Sequence, residues 1–323
     1  MQDSSKIIQF LNESNVVSGS ELGRALGISR VAVQKKLQTL IDNGLPVSAK
    51  PGVGYILEEG ISLLEPKKIE SLFIPSVAQL VDSVRVFQTL ESTNSYLLSQ
   101  PFVSGKCKVA VAETQTAGRG RRGNDWQSTP YRNIALSISW RFDHWPATIT
   151  GLGLAVGLVV AEYMRDRHGV KAEIKWPNDI LVDSKKLGGI LVDVSGESSG
   201  ACNVVIGLGL NVDQSNWSTQ ADYPWIDLRT IGIAPERNEL IADLISILSA
   251  MLSEYERSGF TPLVNRWNEL SSYAGKKIRI LNGSNDLVGM MAGVDANGAL
   301  LIDTGGNVEI VEDSSLSVRL VQS

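Results

Sequence analysis

Between Glu173 and Val212 four extended segments follow one another: Glu173 to Trp176, Ile180 to Asp183, Leu187 to Val194 and Cys202 to Val212. The spacers between them are too short to hold a helix. Several consecutive strands without intervening helices argue for a mixed or antiparallel sheet. Upstream, Val84 to Phe87, Lys108 to Ala112 and Ile134 to Arg141 also read as strands. Helical character is confined to Thr93 to Ser99, Ala147 to Arg167, Glu236 to Arg257 and Pro262 to Leu270. Strands in runs predict an α+β fold around a central mixed sheet flanked by helices, not a doubly wound α/β sheet.

The 323-residue length leaves room for two or three domains, and the flanks differ from the centre. At the N-terminal end Lys6 to Asn12 predicts a helix. A second, Glu21 to Leu26, is capped by Ser20 and stopped by Gly27, and a third runs from its Ser29 cap to Asn43. In the third, Val33, Leu37, Leu40 and Ile41 share one face, with Arg30, Gln34, Lys35 and Gln38 opposite. Pro46 to Leu57 then reads as two short strands around Pro51-Gly52. Helices joined by a tight turn and followed by a hairpin predict a winged helix-turn-helix over residues 1–62. From Arg24 to Lys50 there are five basic residues and one acid, the local patch that phosphate binding needs. Ser29, Arg30, Gln34, Lys35 and Lys50 are the candidate DNA contacts, against the alternative of a helical protein-interaction module. Glu58 to Pro66 is a polar linker, and a catalytic unit is expected over 63–271. Residues 272–323 are short strands broken by Asn282-Gly283, Asn297-Gly298 and Gly305-Gly306, which predicts a small β barrel without an evident reactive constellation.

Composition excludes several classes. The net charge of −5 rules out a general polyanion binder. Two cysteines, Cys107 and Cys202, make neither a disulfide framework nor a zinc site. The polar start from Met1 to Ser5 does not resemble a signal peptide. The most apolar run, Ile149 to Ala161, is too short and glycine-rich to span a bilayer. A cytoplasmic protein with no membrane partner is the expectation.

The segment Gly118-Arg119-Gly120-Arg121-Arg122-Gly123 matches G-x-G-x-x-G, but the match alone says little. Asn124 to Pro130 after it do not open a helix, its arginines crowd a turn that wants close backbone packing, and no Walker A lysine follows. A cationic, glycine-rich loop that closes over phosphate fits better, the alternative being a solvated basic loop. Lys175-Trp176-Pro177-Asn178-Asp179 sits at a strand–turn–strand junction, Lys185-Lys186-Leu187-Gly188-Gly189 opens the next strand, and Gly207-Leu208-Gly209-Leu210-Asn211 ends a further one. Glu91-Ser92-Thr93-Asn94 caps a helix, and Gln115 precedes the loop.

In this order, these segments closely resemble the biotin–protein ligase family in its bifunctional ligase–repressor form, over nearly the whole chain. The resemblance implies a class II aminoacyl-tRNA synthetase-like catalytic fold and an SH3-like C-terminal barrel. It implies a reaction in which biotin and ATP, with Mg2+, form biotinyl-5'-adenylate, and the biotin passes to a lysine of the biotin carboxyl carrier protein of acetyl-CoA carboxylase. It further implies that the adenylate-bound chain forms a homodimer on operator DNA of the biotin synthesis genes. Joining two anions calls for fixed cations, and Arg119, Arg121 and Lys186 match that role, with Lys175 weaker. Asp179 either ligates magnesium or helps to deprotonate the acceptor lysine. Ser92, Thr93, Asn94, Gln115 and the backbone near Arg121 match the family's biotin-binding groups, as do Arg119 and Lys186. The valeryl chain is expected along Gly118, Gly188 and Gly189. The adenylate is expected near Trp126, Asn178, Asn211 and Trp225. The chain departs from the family pattern at Asp125, where a basic residue often precedes the tryptophan, and at Gly188, where alanine is common. A ligase whose winged helix does not regulate transcription is the alternative.

Overall fold

The structure is a computed structural model that describes residues 2–14, 16–58, 61–144, 149–196, 200–214, 223–281 and 286–321, with side chains from residue 6. The N-terminal unit holds α1 (Gln2–Glu13), β1 (Val16–Val17), α2 (Gly19–Leu26), α3 (Arg30–Asp42), β2 (Val47–Lys50) and β3 (Gly54–Leu57). Its three strands are ordered β1-β3-β2. The Ser29 hydroxyl accepts from the Ala32 N–H at 3.2 Å, the expected cap of α3. The cap of α2 is Ser18 rather than Ser20, its hydroxyl accepting from Glu21 N–H at 3.0 Å. Ser18 has the extended backbone a cap requires, whereas Ser20 is already inside the helix. Val33, Leu37 and Leu40 are buried on α3, while Arg30, Gln34, Lys35 and Lys50 are exposed with Ser29.

The central body begins with α4 (Pro66–Ser71) and α5 (Pro75–Leu80), two short helices started by proline that carry too few turns to show periodicity. Then come β4 (Val81–Phe87), α6 (Thr93–Leu98), β5 (Cys107–Ala112), β6 (Ile134–Phe142), α7 (Leu152–His168), β7 (Glu173–Lys175), β8 (Asp179–Val182), β9 (Lys185–Gly196), β10 (Cys202–Leu210), α8 (Arg237–Ser258) and α9 (Val264–Leu270). The described part of α7 starts at Leu152, and residues 147–148 of the expected helix lie outside the described residues. The sheet order is β4-β5-β6-β10-β9-β8-β7. Among the described strands only β4 and β5, joined through α6, run parallel; β7 to β10 pair antiparallel in sequence across short spacers, and β6 is antiparallel to both β5 and β10. The apolar helices α7 and α8 share one buried cluster with the sheet. On another part of the sheet Leu97 of α6 packs with Ala110 and Val205.

The last segment holds β11 (Lys277–Leu281), β12 (Leu287–Val294), β13 (Leu300–Asp303), β14 (Val308–Val311) and β15 (Ser317–Leu320). They form an antiparallel sheet of order β14-β13-β12-β11-β15. Gly298 and Gly305 turn it with left-handed backbone, and Asn282-Gly283 lies outside the described residues.

The winged helix is seated on the body through buried groups. Tyr131, fully buried, packs in the winged-helix cluster with Leu63, while the adjacent Leu64 belongs to the main core. Gly44 has φ 91° and a Cβ there would stand 2.7 Å from Pro130, so both conformation and space require glycine. Glu113 Oε2 pairs with Arg237 Nη1 at 2.7 Å, and Glu113 Oε1 accepts from Leu64 N–H at 2.7 Å. Arg132 joins Glu58 (2.6 Å) to Asp213 (2.7 Å). No described helix is long and apolar enough to cross a membrane.

Candidate functional site

A cavity of about 510 Å³ opens over the glycine-rich ends of β9 and β10. Its walls are the start of α6, the Gly/Arg loop, the turn between β7 and β8, the segment at Trp225 and residues 315–319. Most of the residues expected at the biotin and adenylate site line this cavity although they span more than a hundred positions; Gly118 and Gly188 do not line it, the first backing onto the Trp126 carbonyl and the second onto the Gly209 carbonyl.

The loop is rooted beside the start of α6. Ser92 caps the helix, accepting from Ser95 N–H at 3.4 Å. Thr116 N–H donates to Leu90 O and Ala117 N–H to Glu91 O, each at 2.9 Å. The loop then folds on itself: Trp126 N–H donates to Gly118 O (2.8 Å) and Gly120 N–H to Asn124 O (2.7 Å). A side chain at Gly118 would strike the Trp126 carbonyl, so the hairpin needs a bare backbone there. At the tip Arg122 adopts φ 60°, a conformation that costs about 1–2 kcal/mol in a non-glycine residue. Beyond the tip, Trp126 lays its indole over Gly209, where any Cβ would overlap the ring. The indole N–H is buried without a hydrogen-bond partner among the described residues.

The cations are sorted by their partners. Lys186 Nζ is 2.7 Å from Asp179 Oδ1 and 5.6 Å from the Trp126 ring centroid. Lys175 Nζ lies 3.4 Å from Asp179 Oδ2 and 5.7 Å from the Tyr223 ring centroid. Each oxygen of Asp179 therefore faces one ammonium group. Among the described residues no group of three or more His, Cys, Asp or Glu is placed to hold a metal ion. Arg121 donates to Asn178 Oδ1 at 3.1 Å and to Ser314 O. Burial pulls its pKa down, opposed by the charges of Asp179 and Asp313. Arg119 does not face the lysines but forms a two-pronged pair with Asp193. A patch of fixed positive charge lining a cavity can hold phosphate and stabilise charge that develops on it.

Other expected residues serve as wall. Asn178 Nδ2 donates to Ile190 O at 3.0 Å. Buried Asn211 donates to Lys186 O and Ile226 O, which ties the Trp225 segment to β9. Lys186 N–H donates to Pro224 O at 2.9 Å along the same seam. Gly188 is buried against Gly209 O, and Gly189 stands 3.3 Å from Trp126 by its would-be Cβ. Sequence reasoning missed Ser137, Asp193, Tyr223 and the contribution of the last strand. Arg122 donates to Ser317 Oγ at 2.6 Å, and Arg319 stacks 4.3 Å over Tyr223. The C-terminal sheet, which carries no reactive pattern of its own, supplies part of the roof. Contacts between positions nearly two hundred residues apart leave no local signal.

Comparison with known proteins agrees with this geometry. Residues 86–211 match the model of the Biotin/lipoate A/B protein ligase family, and residues 4–56 match that of an HTH domain. The chain is 37% identical over 316 residues to the bifunctional ligase/repressor BirA of Escherichia coli (strain K12), covering 97% of this chain and 96% of the relative. It is 28% identical over 311 residues to the protein of that name from Bacillus subtilis (strain 168), covering 94% of each. Among solved structures, the biotin protein ligase from Aquifex aeolicus in complex with biotin and ATP has a TM-score of 0.65 at 23% identity, covering 74% of this chain and 100% of that one. That likeness concerns the fold.

Proposed function

The chain belongs to the biotin/lipoate A/B protein ligase family, and on that premise we propose that it is a bifunctional biotin–protein ligase and transcriptional repressor. It joins the biotin carboxylate to the α-phosphate of ATP, releases pyrophosphate, and passes biotin from the adenylate to a lysine of the biotin carboxyl carrier protein. The adenylate-bound chain acts as a homodimer on operator DNA of the biotin synthesis genes. The observation that carries this reading is one Gly/Arg loop closed over a cationic, glycine-floored cavity in a chain that also bears a winged helix.

Within that reading, Ser92, Thr93, Asn94 and Gln115 meet the ureido group, whose donors and acceptor call for small polar partners. The glycines of β9 and β10 leave a slot for the apolar chain. Lys186 and Arg121 hold the phosphate charge as the acyl–phosphate bond forms, and Lys175 and Asn178 flank them. Trp126, Trp225 and Asn211 bound the adenine side. Asp179 orients Lys186 and Lys175. Magnesium would enter with ATP and neutralise its phosphates.

We divide the chain into 1–62 for DNA, 63–271 for catalysis and 272–323 as the C-terminal unit. A cytoplasmic location agrees with Cys107 and Cys202 being free and buried. β8 pairs with β9 only as far as Gly189, so among the described residues the β9 edge beyond Ile190 carries no strand and suits pairing with a second copy. Incubation of the carrier protein with the chain, biotin and Mg-ATP, followed by mass spectrometry, is expected to show one biotin-sized addition on one lysine. An unmodified carrier would overturn the ligase. A gel shift of a biotin-operon fragment that strengthens with biotin and ATP is expected from the repressor, and no shift under either condition would leave a ligase alone.

A further inference from the structure

A hydrogen-bonded circuit runs behind the wall of the cavity and begins and ends on the stretch from Gln115 to Arg119. Gln115 Oε1 accepts from Thr93 N–H (2.8 Å) and from the Thr93 hydroxyl (3.1 Å). The Ser137 hydroxyl of β6, fully buried, lies 2.6 Å from Thr93 Oγ1 and 2.5 Å from Asn94 Oδ1. Asn94 Nδ2 donates to Asp193 Oδ2 at 2.9 Å. Arg119 closes the path, its Nη1 donating to Asp193 Oδ2 at 3.2 Å and its Nη2 to Oδ1 at 3.1 Å.

Asn94 is 3% exposed, and its amide is held from both ends: oxygen toward a hydroxyl, nitrogen toward a carboxylate. Gly207 leaves the room it fills, since a Cβ there would meet Asn94 Oδ1. Asp193 itself does not line the cavity, but Asn94 and Arg119 both do. It stands on β9 paired with Val205 of β10, so its backbone is anchored in the sheet and gives the loop a support outside the loop itself.

We propose that Asp193 is a positioning residue that latches the Gly/Arg loop: it grips Arg119 and joins that grip, through Asn94, to the groups that line the biotin pocket. Filling the pocket and closing the loop then stabilise each other, because each orders one end of the same hydrogen-bonded path. The latch also sets Arg119 apart from Arg121 and Lys186. Its charge is committed to holding the loop, while theirs face the reacting phosphate. The assignment of the pocket to biotin rests on the function proposed above, and the latch itself rests on the circuit.

The test uses the full chain and its Asp193→Asn, Asp193→Glu, Arg119→Ala and Arg119→Ala/Asp193→Asn variants. Asparagine keeps an acceptor for Asn94 but loses the charge that Arg119 needs. The readouts are trypsin cleavage within residues 119–122, with no ligand and with biotin plus Mg-ATP, and release of preformed biotinyl-adenylate into excess unlabelled biotin. Asp193→Asn is expected to speed ligand-free loop cleavage and adenylate release by about tenfold, as loss of a charge-assisted pair that is half exposed implies. Asp193→Glu should recover most of that loss, and the double variant should be no worse than Arg119→Ala. Wild-type cleavage and release in Asp193→Asn, or additive losses in the double variant, would overturn the latch. Failure of the wild type to release pyrophosphate with biotin would instead overturn the proposed reaction, and ligand-free loop cleavage would still decide the latch. Because Arg119 lies on the exposed loop, its variant tests the idea without disturbing the core.

Discussion

Replacing Glu113 with alanine should loosen the joint between the winged helix and the catalytic body more than any other single change in the linker region. The Glu113 side chain is fully buried and Arg237 is 5% exposed, with 2.7 Å between them. Glu113 also accepts from Leu64 N–H, and Arg237 donates to Ser62 O and Asn133 O. Removing one partner of a buried pair leaves the other charge uncompensated, at a cost of about 3–5 kcal/mol. The orphaned Leu64 amide adds about 1–3 kcal/mol. With a urea slope of about 1–3 kcal/mol per molar, the unfolding midpoint followed by tryptophan fluorescence should fall by roughly 1 M or more. Replacing both partners, as Glu113→Leu with Arg237→Met, removes the uncompensated charge and should recover much of the loss, because a well-packed apolar pair is often no worse than the ion pair it replaces. A midpoint unchanged in Glu113→Ala, or a double variant as unstable as the two single losses added together, would refute this account.

Lys186→Ala should cut biotin-dependent pyrophosphate exchange by on the order of 10²-fold while leaving biotin affinity nearly intact; a fall in biotin affinity alone would remove Lys186 from the phosphate role. Gly209→Ala should drive the Trp126 indole off the sheet and slow adenylate formation by on the order of 10²-fold, with a matching change in tryptophan emission. At Glu236 burial raises the pKa, but hydrogen bonds from Ser62, Asn238 and the Glu239 amide outweigh it and hold the carboxyl below its ordinary range. Its stabilising effect is therefore complete above the unfolded value of about 4.3 and is lost as pH falls through the lower folded value; Glu236→Gln should flatten acid unfolding in that window. Burial pushes the Cys107 thiol up to about 12, so N-ethylmaleimide at neutral pH should label it only after denaturation, as mass spectrometry of the labelled peptide will report.

The winged helix was legible because its signals are local. Ser29 precedes a helix whose apolar positions recur on one face, and Pro51-Gly52 turns the hairpin behind it. The misplaced cap of α2 shows the limit of such reading: Ser18 and Ser20 differ little in residue chemistry, and the backbone conformation that separates them is set by the pairing of Val16–Val17 with β3. Helices α4 and α5 escaped notice because six residues show no periodicity, and their place is set by packing near α8 and β4.

By itself the sequence determined that β7 to β10 belong to a mixed or antiparallel run, since their spacers are too short to hold a crossover helix. It also determined that the glycine–arginine segment belongs to a cationic loop, since its flanks do not form the strand–turn–helix of a dinucleotide fold. What only the tertiary structure decided is how the cations are divided among their partners. Arg119 and Arg121 sit two positions apart on one loop and read alike, yet one meets Asp193 on β9 and the other meets Asn178 and the C-terminal segment. A guanidinium takes its role from the carboxylate or carbonyl that packing brings to it, and those partners lie between about fifty and two hundred residues away, beyond the reach of any local pattern.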